Sequence, residues 1–554
     1  MRTLEGRIAL IASTFALFCS FSLPTTPAKA ETPLLTLAQA MALPQPWPQL
    51  WGLEFSERFE PAEAALYKMA DHFPAHLCDG ITDPRCTGEV GLYQMINLDL
   101  CTDQSVLSCI VGMWVVDSSG NRINGEIVRP VLFSQKQAVA ENVELNLPKN
   151  TAKGIIYRVP GVKNNLNSDQ YFVATNISMF KGKTEKAFTY GEINTGIRPV
   201  REIAGDYAPS VLLPTTGTGG GNTRAPNGSE CIAVEIGICF EQAEFPEGYR
   251  FGLTIRIGEK LNGWFHGRMS LPEISISDWK RGQEISIEAE PVTIPNLDFV
   301  VPPASLPAPL KKKILDCESG GCGGRGTLEG IYQTGGNLSH PNSMDLIKEF
   351  APVYNDKATK TQSVWFFKNM FNHAGSINTG QIDRCAPSSG GLAGLVLTNA
   401  LAYSSGPPSY DSESGTLVYK VASPHLEADG DVAQGTYDLS IRSEVARCIY
   451  GFSNAPIKAE ISIAGDDGEK RIATTIVNEK DGWLYLTARG FTFSAPVIRV
   501  KLSQDQVKNV ETQTSATATV KSKSKKVSIT CTKGKITKKV VGVSPKCPKG
   551  FVKK

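Results

Sequence analysis

The chain has 554 residues, 41% of them hydrophobic and 20% charged, with 51 glycines and 34 prolines. No segment after residue 30 is both long and apolar enough to cross a bilayer as a helix, which excludes a body that spans a membrane with helices. Val, Ile, Thr and Ser recur between clusters of Gly, Pro, Asn and Asp, a pattern typical of short strands and turns. Length and pattern together predict three or four mainly β domains.

The net charge of +2 hides a strong asymmetry along the chain. Residues 521–554 contain twelve lysines and no acidic residue, and residues 1–30 carry a net charge of +2. The remaining residues, 31–520, therefore carry a net charge of −12. An acidic body with a basic end can contact an anionic surface through that end alone.

Residues 1–30 have the pattern of a secretory signal peptide. Arg2 and Arg7 precede an apolar run over residues 8–23, and Ala28-Lys29-Ala30 fits the small-residue cleavage pattern. A membrane anchor would need a longer apolar run, of roughly 20 residues. We therefore expect a secreted protein that begins at Glu31 and is associated with the cell surface or cell wall.

The rest of the chain divides at glycine- and proline-rich stretches. Helix-forming composition occurs at residues 60–69, and alternating strand patterns occur at residues 437–443, 483–488 and 497–502. In the first of these strands Tyr437, Leu439 and Ile441 share one face and polar residues take the other. The predicted order is an N-terminal segment with a short helix (31–87), a β domain (88–211), a Gly-rich linker (212–230), a β domain (231–300), a Pro/Gly linker with a Cys pair (301–330), a β-sandwich-like domain (331–505), a disordered linker (506–526) and a basic two-Cys tail (527–554).

The predicted fold class is therefore mainly all-β, with tandem β-sandwich-like domains joined by Gly/Pro linkers. A short N-terminal helix and a small basic C-terminal β-hairpin complete it. A weak internal similarity joins residues 253–276 to residues 439–463, since Leu-Thr-Ile-Arg and Glu-Ile-Ser-Ile in the first recur as Leu-Ser-Ile-Arg and Glu-Ile-Ser-Ile in the second. A shared half-module would explain this similarity, and so would chance resemblance between alternating strands.

Twelve cysteines follow the signal peptide, an even number that indicates structural disulfides in an exported chain. The sequence alone does not fix their connectivity. Spacing favours the pairs Cys78/Cys86, Cys101/Cys109, Cys231/Cys239, Cys317/Cys322 and Cys531/Cys547, and leaves Cys385/Cys448. The alternative is a zinc site that combines Cys78 and Cys86 with His72 and His76, but this spacing matches no usual Cys/His zinc pattern.

The sequence between the two ends contains no Gly-x-Ser-x-Gly, His-Glu-x-x-His or Walker motif. We interpret the six histidines as surface or turn residues; they are His72, His76, His266, His340, His373 and His425. The acidic stretches 427–431 and 466–468 lack the ligand alternation of an EF-hand loop, so we interpret them as ordinary turns. No catalytic residue, metal ligand or cofactor is predicted.

Residues 527–554 form the basic tail, in which two short strand patterns flank a turn and Cys531 and Cys547 are expected to join. The run Ile529-Thr-Cys531, followed by Lys533-Gly-Lys535 and by the Pro-Lys-Cys-Pro-Lys-Gly-Phe that ends at Phe551, resembles a short Lys-rich, two-cysteine C-terminal motif of exported β-rich proteins of actinobacteria. Asp383-Arg-Cys385 and Thr398-Asn-Ala400 in the body are similar to the same group. The resemblance implies an envelope-associated tag and no particular activity. The candidate anionic-surface-binding residues are Lys533, Lys535, Lys538, Lys539, Lys546, Lys549, Lys553 and Lys554.

The sequence thus predicts an exported, envelope-associated binding or structural protein that is held by its basic tail. Its partner would be an anionic cell-wall polymer or a membrane surface, and the body would take an extracellular glycan or protein as ligand. Nucleic acid is disfavoured as a partner because the chain is exported. The alternative is a secreted hydrolase that acts on extracellular glycans, for which a pair of carboxyl groups about 5 to 9.5 Å apart in a cleft would be the signature.

Overall fold

The structure is a computed structural model, and it divides into two compact units, residues 1–504 and 505–554, which are described separately. The residues that it describes are 34–36, 39, 51–55, 64–70, 73–88, 90–133, 139–209, 211–212, 218–219, 229–316, 341–369, 385, 391–404, 406–454, 456–464, 470–472, 474–493, 497–504, 527–542 and 544–554. Residues 1–30, with the predicted signal peptide, lie outside them.

Strands make up most of the described chain. Up to residue 301 they are β1 (Trp51–Phe55), β2 (Ala65–Ala70), β3 (Phe73–Leu77), β4 (Leu92–Asn97), β5 (Cys109–Val116), β6 (Arg122–Asn124), β7 (Glu126–Leu132), β8 (Ala152–Arg158), β9 (Gln170–Lys181), β10 (Thr189–Ala204), β11 (Val211–Leu212), β12 (Thr218–Gly219), β13 (Cys231–Glu235), β14 (Ile238–Gln242), β15 (Arg250–Ile257), β16 (Gly263–Arg268), β17 (Ser270–Trp279), β18 (Gly282–Glu290) and β19 (Val292–Val301). From there to residue 504 the helices are α1 (Ala308–Asp316), α2 (Pro341–Tyr354) and α3 (Ser443–Tyr450), and the strands are β20 (Lys360–Asn369), β21 (Leu392–Thr398), β22 (Ala402–Tyr403), β23 (Ser409–Asp411), β24 (Thr416–Ala422), β25 (Gln434–Arg442), β26 (Lys458–Ala464), β27 (Lys470–Ile472), β28 (Thr474–Lys480), β29 (Trp483–Thr492) and β30 (Val497–Ser503). Two short 3-10 helices span Pro84–Cys86 and Pro303–Ser305.

A 17-stranded sheet forms the centre of the first unit. A continuous path crosses it in the order β3-β2-β4-β9-β10-β20-β16-β21-β25-β29-β28. The other strands join this path at its middle: β8 and β7 beside β9, β14 and β13 beside β10, and β19 and β1 beside β20. The pairs are antiparallel except for β16 with β21, which run parallel.

Two smaller sheets cover the two faces of this central sheet. Apolar side chains of β5, β15, β17 and β18, which belong to a five-stranded sheet in the order β17-β18-β15-β5-β6, form one core with one face of the central sheet. Apolar side chains of β24, β26 and β30, which belong to a six-stranded sheet, form a second core with the opposite face, together with α2 and α3. The described part of this unit therefore has three layers, with a large hydrophobic core on each face of the central sheet.

Alternate residues of the central strands serve the two cores. On β20, Trp365 and Phe367 contribute to the core under the five-stranded sheet, whereas Phe366 contributes to the other core. Successive side chains of a strand point to opposite faces, so a sheet that is covered on both sides needs continuous apolar runs. All seven residues of β21, Leu392–Thr398, are buried for this reason.

The structure confirms a mainly β fold with several sheets, and it also joins segments that the sequence analysis had placed in different domains. Strand β10, from the segment 88–211, pairs with β20, from the segment 331–505. Strand β16, from the segment 231–300, pairs with both β20 and β21. These three segments therefore share the central sheet, and residues 1–504 group as one compact unit.

The predicted helix over residues 60–69 is wrong for the part of it that the structure describes. Residues Ala65–Ala70 form β2, which pairs with β3 on one edge and β4 on the other. Ala65, Leu66 and Tyr67 are consecutive and all buried, a burial pattern that one stripe of a surface helix does not give. Pairing and burial on both faces therefore override the helix-forming composition.

The structure describes only part of the three predicted linkers. Most of the segment 212–230, residues 317–330 and all of 506–526 lie outside the described residues. Residues 308–316 of the second linker form α1.

The internal similarity does not mark equivalent places, because Leu253–Arg256 lies in β15 of the five-stranded sheet and Leu439–Arg442 lies in β25 of the central sheet. Chance resemblance between alternating strands explains it.

Five of the predicted disulfides are present, and they fit an extracellular protein. They are Cys78–Cys86, Cys101–Cys109, Cys231–Cys239, Cys385–Cys448 and Cys531–Cys547; Cys317 and Cys322 lie outside the described residues. Because Cys78 and Cys86 are joined to each other, the alternative zinc site that would combine them with His72 and His76 is wrong.

Inside the loop closed by Cys78 and Cys86, Asp83 accepts hydrogen bonds from the side chain of Arg85 and from the backbone N–H of Asp79 and Arg85. These hydrogen bonds hold the pKa of Asp83 well below its usual range.

The two-sided packing predicts opposite effects for two strand glycines. A Cβ atom at Gly394, in β21, would lie 2.1 Å from a ring carbon of Trp264, whereas a Cβ atom at Gly112, in β5, would have no neighbour within 4 Å. We expect Gly394→Ala to destabilise the protein by about 2 kcal/mol through overpacking. Gly112→Ala is the matched control and should be neutral or slightly stabilising. Chemical denaturation of both variants measures the difference, and equal stabilities would contradict the two-core packing.

Candidate functional site

The second unit contains the basic tail, whose described part is a three-stranded antiparallel sheet. Its strands are β31 (Val527–Lys533), β32 (Ile536–Gly542) and β33 (Val552–Lys553), with β31 in the middle. A two-residue turn joins β31 to β32, and Gly534 in it has a φ of 57°, a conformation that glycine adopts without a Cβ penalty. The sheet thus contains the predicted hairpin and one further short strand.

The strand register assigns the tail side chains to two sides of the sheet. Lys538 and Lys553 lie opposite Cys531 on the two neighbouring strands, so these three side chains share a side with Lys533, which we call the disulfide side. Thr530 and Thr532 alternate with these residues and define the open side. Directly opposite them, the open side also carries Thr537, Lys539 and Val552.

One disulfide fastens the loop between β32 and β33 onto the disulfide side. Cys531 is fully buried, and its bridge to Cys547 draws the segment 544–551 across the strands. The ammonium group of Lys538 lies 5.5 Å from the centre of the Phe551 ring, within the range of a cation–π contact. Because Ile529 and Cys531 are the buried apolar residues in the described part of the tail, the bridge replaces most of a hydrophobic core.

The eight lysines predicted from sequence as an anionic-surface-binding set are all exposed, and they lie in the strands, the turn and the loop of the tail. They are Lys533, Lys535, Lys538, Lys539, Lys546, Lys549, Lys553 and Lys554. Strand alternation divides the strand lysines, since neighbouring Lys538 and Lys539 lie on opposite sides. This division depends on register and could not be read from the lysine count.

In the body, the outer face of the five-stranded sheet combines aromatic and paired charged side chains. The indole N–H of Trp114 donates to Glu288 Oε2 at 2.7 Å, and its ring lies over Gly252, where a Cβ would come within 2.0 Å. Arg250 Nε donates to the other oxygen of Glu288 at 3.0 Å. Further along the same two strands, Arg256 pairs with Glu284 at 2.8 Å. Cross-strand arginines thus compensate these carboxylates, as in a stable solvent-facing sheet.

A second polar cluster lies where this sheet meets the central sheet, around the buried carboxyl group of Asp438. Asp438 Oδ1 accepts a hydrogen bond from Thr487 Oγ1 at 2.6 Å and Oδ2 accepts one from Ser270 Oγ at 2.9 Å. Arg489 donates to the same Ser270 hydroxyl, and its guanidinium lies 3.7 Å from Glu290. The pKa of Asp438 is raised overall, because the effect of burial exceeds the opposing effects of the hydrogen bonds and of the Arg489 charge. The cluster joins β25 and β29 of the central sheet to β17 and β18.

Sequence analysis missed this cluster because alternation predicted a polar, solvated face for β25. Asp438 and Ser440 are each 1% exposed, since both faces of the central sheet are covered. The hydroxyl partners of Asp438 are distant in sequence, with Ser270 at a separation of 168 and Thr487 at a separation of 49. A lone aspartate in an alternating strand gives no sign of such long-range partners.

The interpretation of His266 as a surface or turn residue is also wrong. It lies in β16, is 2% exposed and packs against Tyr403 with ring centres 3.8 Å apart. Two positions on, the buried Arg268 donates to the backbone carbonyls of Thr398, Ala400 and Leu401, which holds the chain where it leaves β21. His76 lies in β3 and is half-buried, and His425 lies in a loop; His72, His340 and His373 lie outside the described residues.

The acidic stretch 427–431 forms a hydrogen-bonded turn. The backbone N–H of Glu427 donates to the carbonyl of Asp431 at 2.7 Å, and the N–H of Asp431 donates to Asp429 Oδ1 at 3.0 Å. Burial, followed by the neighbouring charges of Asp429 and Asp431, raises the pKa of Glu427. Across the described part of the chain, no group of three or more His, Cys, Asp or Glu side chains is arranged to hold a metal ion. The stretch 466–468 lies outside that part.

No protein-family model, curated protein or solved structure matches this chain. Among the described residues, no helix has the length and hydropathy needed to cross a bilayer.

Loss of the tail disulfide should unfold the tail sheet and leave the body intact. The bridge joins cysteines 16 positions apart, and closing a loop of this size stabilises by about 3 kcal/mol. We expect the double variant Cys531→Ser, Cys547→Ser to lose amide-exchange protection across β31 and β32. The matched control, Cys101→Ser with Cys109→Ser, breaks a bridge in the body and should leave tail exchange unchanged. Retained protection in the first variant would contradict the structural role of the bridge.

The buried carboxyl of Asp438 should make stability depend on pH. Because its pKa is raised in the folded state, the native protein binds more protons than the unfolded chain between the ordinary pKa and the raised one. The free energy of unfolding therefore falls as the pH rises through that window, by about 1.4 kcal/mol for each unit between the two pKa values. We expect Asp438→Asn to remove this slope when denaturation is measured from pH 4 to pH 8.

The control for that measurement is Asp103→Asn, at an exposed position in the loop closed by Cys101 and Cys109, for which no such loss of slope is expected. A wild-type slope that survives in the Asp438→Asn variant would show that other groups cause it. Glu259 and Glu427 are the carboxyl groups to test then, since burial also raises their pKa values.

Proposed function

We propose that this protein is exported and held at the cell envelope by its basic C-terminal sheet, with the acidic body acting as a binding or structural module. The observation that carries the proposal is the tail sheet itself. It presents eight exposed lysines on a small disulfide-fastened fold in a stretch that has no acidic residue. Such a surface attracts anionic polymers or anionic lipid by screened Coulomb forces.

Two further features support this location. The disulfides of the body are typical of oxidising compartments outside the cytoplasm, and residues 1–30 have the pattern of a secretory signal peptide. The net charge of −12 over residues 31–520 would keep the body away from an anionic surface while the tail contacts it.

For the body, the paired carboxylates favour a binding or structural role over glycan hydrolysis. A glycosidase needs two carboxyl groups that face one cleft, one of them free to donate a proton. Glu284 and Glu288 on the outer face of the five-stranded sheet are instead ion-paired with Arg256 and Arg250. Asp438 is enclosed between two sheets and holds hydroxyl groups there.

The test is fractionation of an actinobacterial host that expresses either the full chain or a truncation ending at Gln504, the boundary between the two compact units. We expect the full chain to be cell-bound at low salt and to be released between about 0.05 and 1 M NaCl, where the screening length falls to a few ångströms. The truncation should be free in the medium at every salt concentration.

A full-length Cys531→Ser, Cys547→Ser variant is the control, because it keeps all the lysines without the bridge. Cell binding equal to that of the wild type would mean that charge alone suffices, and weaker binding would show that the folded sheet contributes. If the full chain and the truncation are both free, the anchoring proposal fails and a diffusible protein becomes the leading interpretation.

A further inference from the structure

The two sides of the tail sheet differ in how much room they leave for a ligand. On the disulfide side, the segment 544–551 crosses the strands, so an extended polymer cannot lie flat on them. Lysines there already contact this segment: Lys538 faces the ring of Phe551, and Lys533 Nζ lies 3.3 Å from the point where a Cβ of Gly550 would be. Two lysines on the disulfide side therefore contact the tail itself and are less available to a ligand.

The open side is accessible across all three strands. Val541 and Val552 are 61% and 72% exposed there, and Thr537 is also exposed. Lys539 lies directly opposite Thr530, and on the other edge the backbone N–H of Lys554 donates to the carbonyl of Thr530 at 2.8 Å. A row of Lys539, Thr530 and Lys554 thus crosses the sheet.

Hydroxyl groups lie beside this row of lysines. Thr532 and Thr537 are a cross-strand pair in the next row, and Ser528 lies on the same side in the row before it. Among the described residues, the ammonium groups of Lys539 and Lys554 make no hydrogen bond, ion pair or ring contact. Free cations flanked by hydroxyl donors suit a ligand with phosphate oxygens, which lysine binds as a point charge and threonine as a hydrogen-bond donor.

We propose that the open side of the tail sheet is a binding site for a linear polyol phosphate, that is, a polymer with a phosphodiester at each repeat. The inference rests on the proposed anchoring function and assigns a surface and a ligand class to it. Charge complementarity carries the choice, since residues 527–554 have eight lysines and no acidic residue. The two lysines that flank β31 in this row, about 10 Å apart across the sheet, contact successive phosphates of one extended chain.

The apolar residues on the open side suit a membrane surface less well than its lysines and hydroxyl groups suit a polyol phosphate. Interfacial binding of a protein segment uses large side chains such as Trp, Phe and Leu that enter the acyl boundary. The open side has valines instead, and threonine and serine hydroxyls separate them. The one aromatic residue of the tail, Phe551, contacts Lys538 on the disulfide side.

Two matched double variants of the full-length protein test the assignment. Lys539→Gln with Lys554→Gln removes two charges from the open side, and Lys538→Gln with Lys553→Gln removes two charges from neighbouring positions in the chain but on the disulfide side. The probe is poly(glycerol phosphate) in solution at about 0.1 M NaCl. We expect the open-side pair to lower affinity by about tenfold or more and the disulfide-side pair by less than about threefold.

A third variant tests the hydroxyl groups. Thr532→Val with Thr537→Val keeps β-branched side chains and net charge, so we expect weaker binding with an unchanged dependence on salt concentration. Amide exchange across β31 and β32 verifies in each variant that the sheet is folded.

The outcomes separate the site from the anchoring function. Equal losses in the two lysine pairs would overturn the open-side site while leaving tail-dependent cell binding intact. Tight binding of phosphatidylglycerol vesicles, with none of the polymer, would overturn the ligand class. If the wild-type protein binds neither probe and is also free in the fractionation experiment, the anchoring function itself fails.

Discussion

Burial of the central sheet on both faces is the constraint on which the rest of the body depends. Each central strand must supply apolar side chains to two cores at once, as Trp365, Phe366 and Phe367 do in succession. Such a sheet cannot be assembled from domains that fold separately, because either face would be exposed until its covering sheet is present. The five-stranded and six-stranded sheets are therefore parts of one fold, although their strands come from distant parts of the chain.

The same constraint explains the hydrogen-bond networks around two buried charged residues of the body, Asp438 and Arg268. Where a strand carries a polar side chain at a position that a second layer covers, that group loses water, and a hydrogen-bond partner in the facing or the same sheet compensates for the loss. Asp438 finds Ser270 and Thr487, and Arg268 finds three backbone carbonyls at the end of β21. These contacts fix how the layers sit on one another more specifically than apolar packing does, because hydrogen bonds require direction as well as proximity.

The local sequence pattern was sufficient to predict the β class and the strands at residues 437–443, 483–488 and 497–502. Cysteine spacing was sufficient to predict four of the five disulfides that the structure describes, and the fifth, Cys385–Cys448, was predicted by elimination. The local pattern failed where long-range pairing decided the outcome. Ala65–Met69 has helix-forming residues and became a strand between two partners, and His266 looked like a turn residue and became part of a core. The side of the sheet on which a tail lysine lies could be assigned only from the strand register, since Lys538 and Lys539 are adjacent residues of the same type.

The body and the tail are stabilised in different ways, and this difference bears on function. The body has two cores, so its surface charges can be paired, as in Arg250 with Glu288, without any of them being needed for folding. The tail has almost no core, and a single bridge takes its place. A fold that is held by a disulfide can expose nearly all of its side chains, which lets it carry many lysines with little apolar burial. Mutual repulsion among those lysines disfavours the bare sheet, and a polyanion on the open side would relieve it, so binding and tail stability should be coupled.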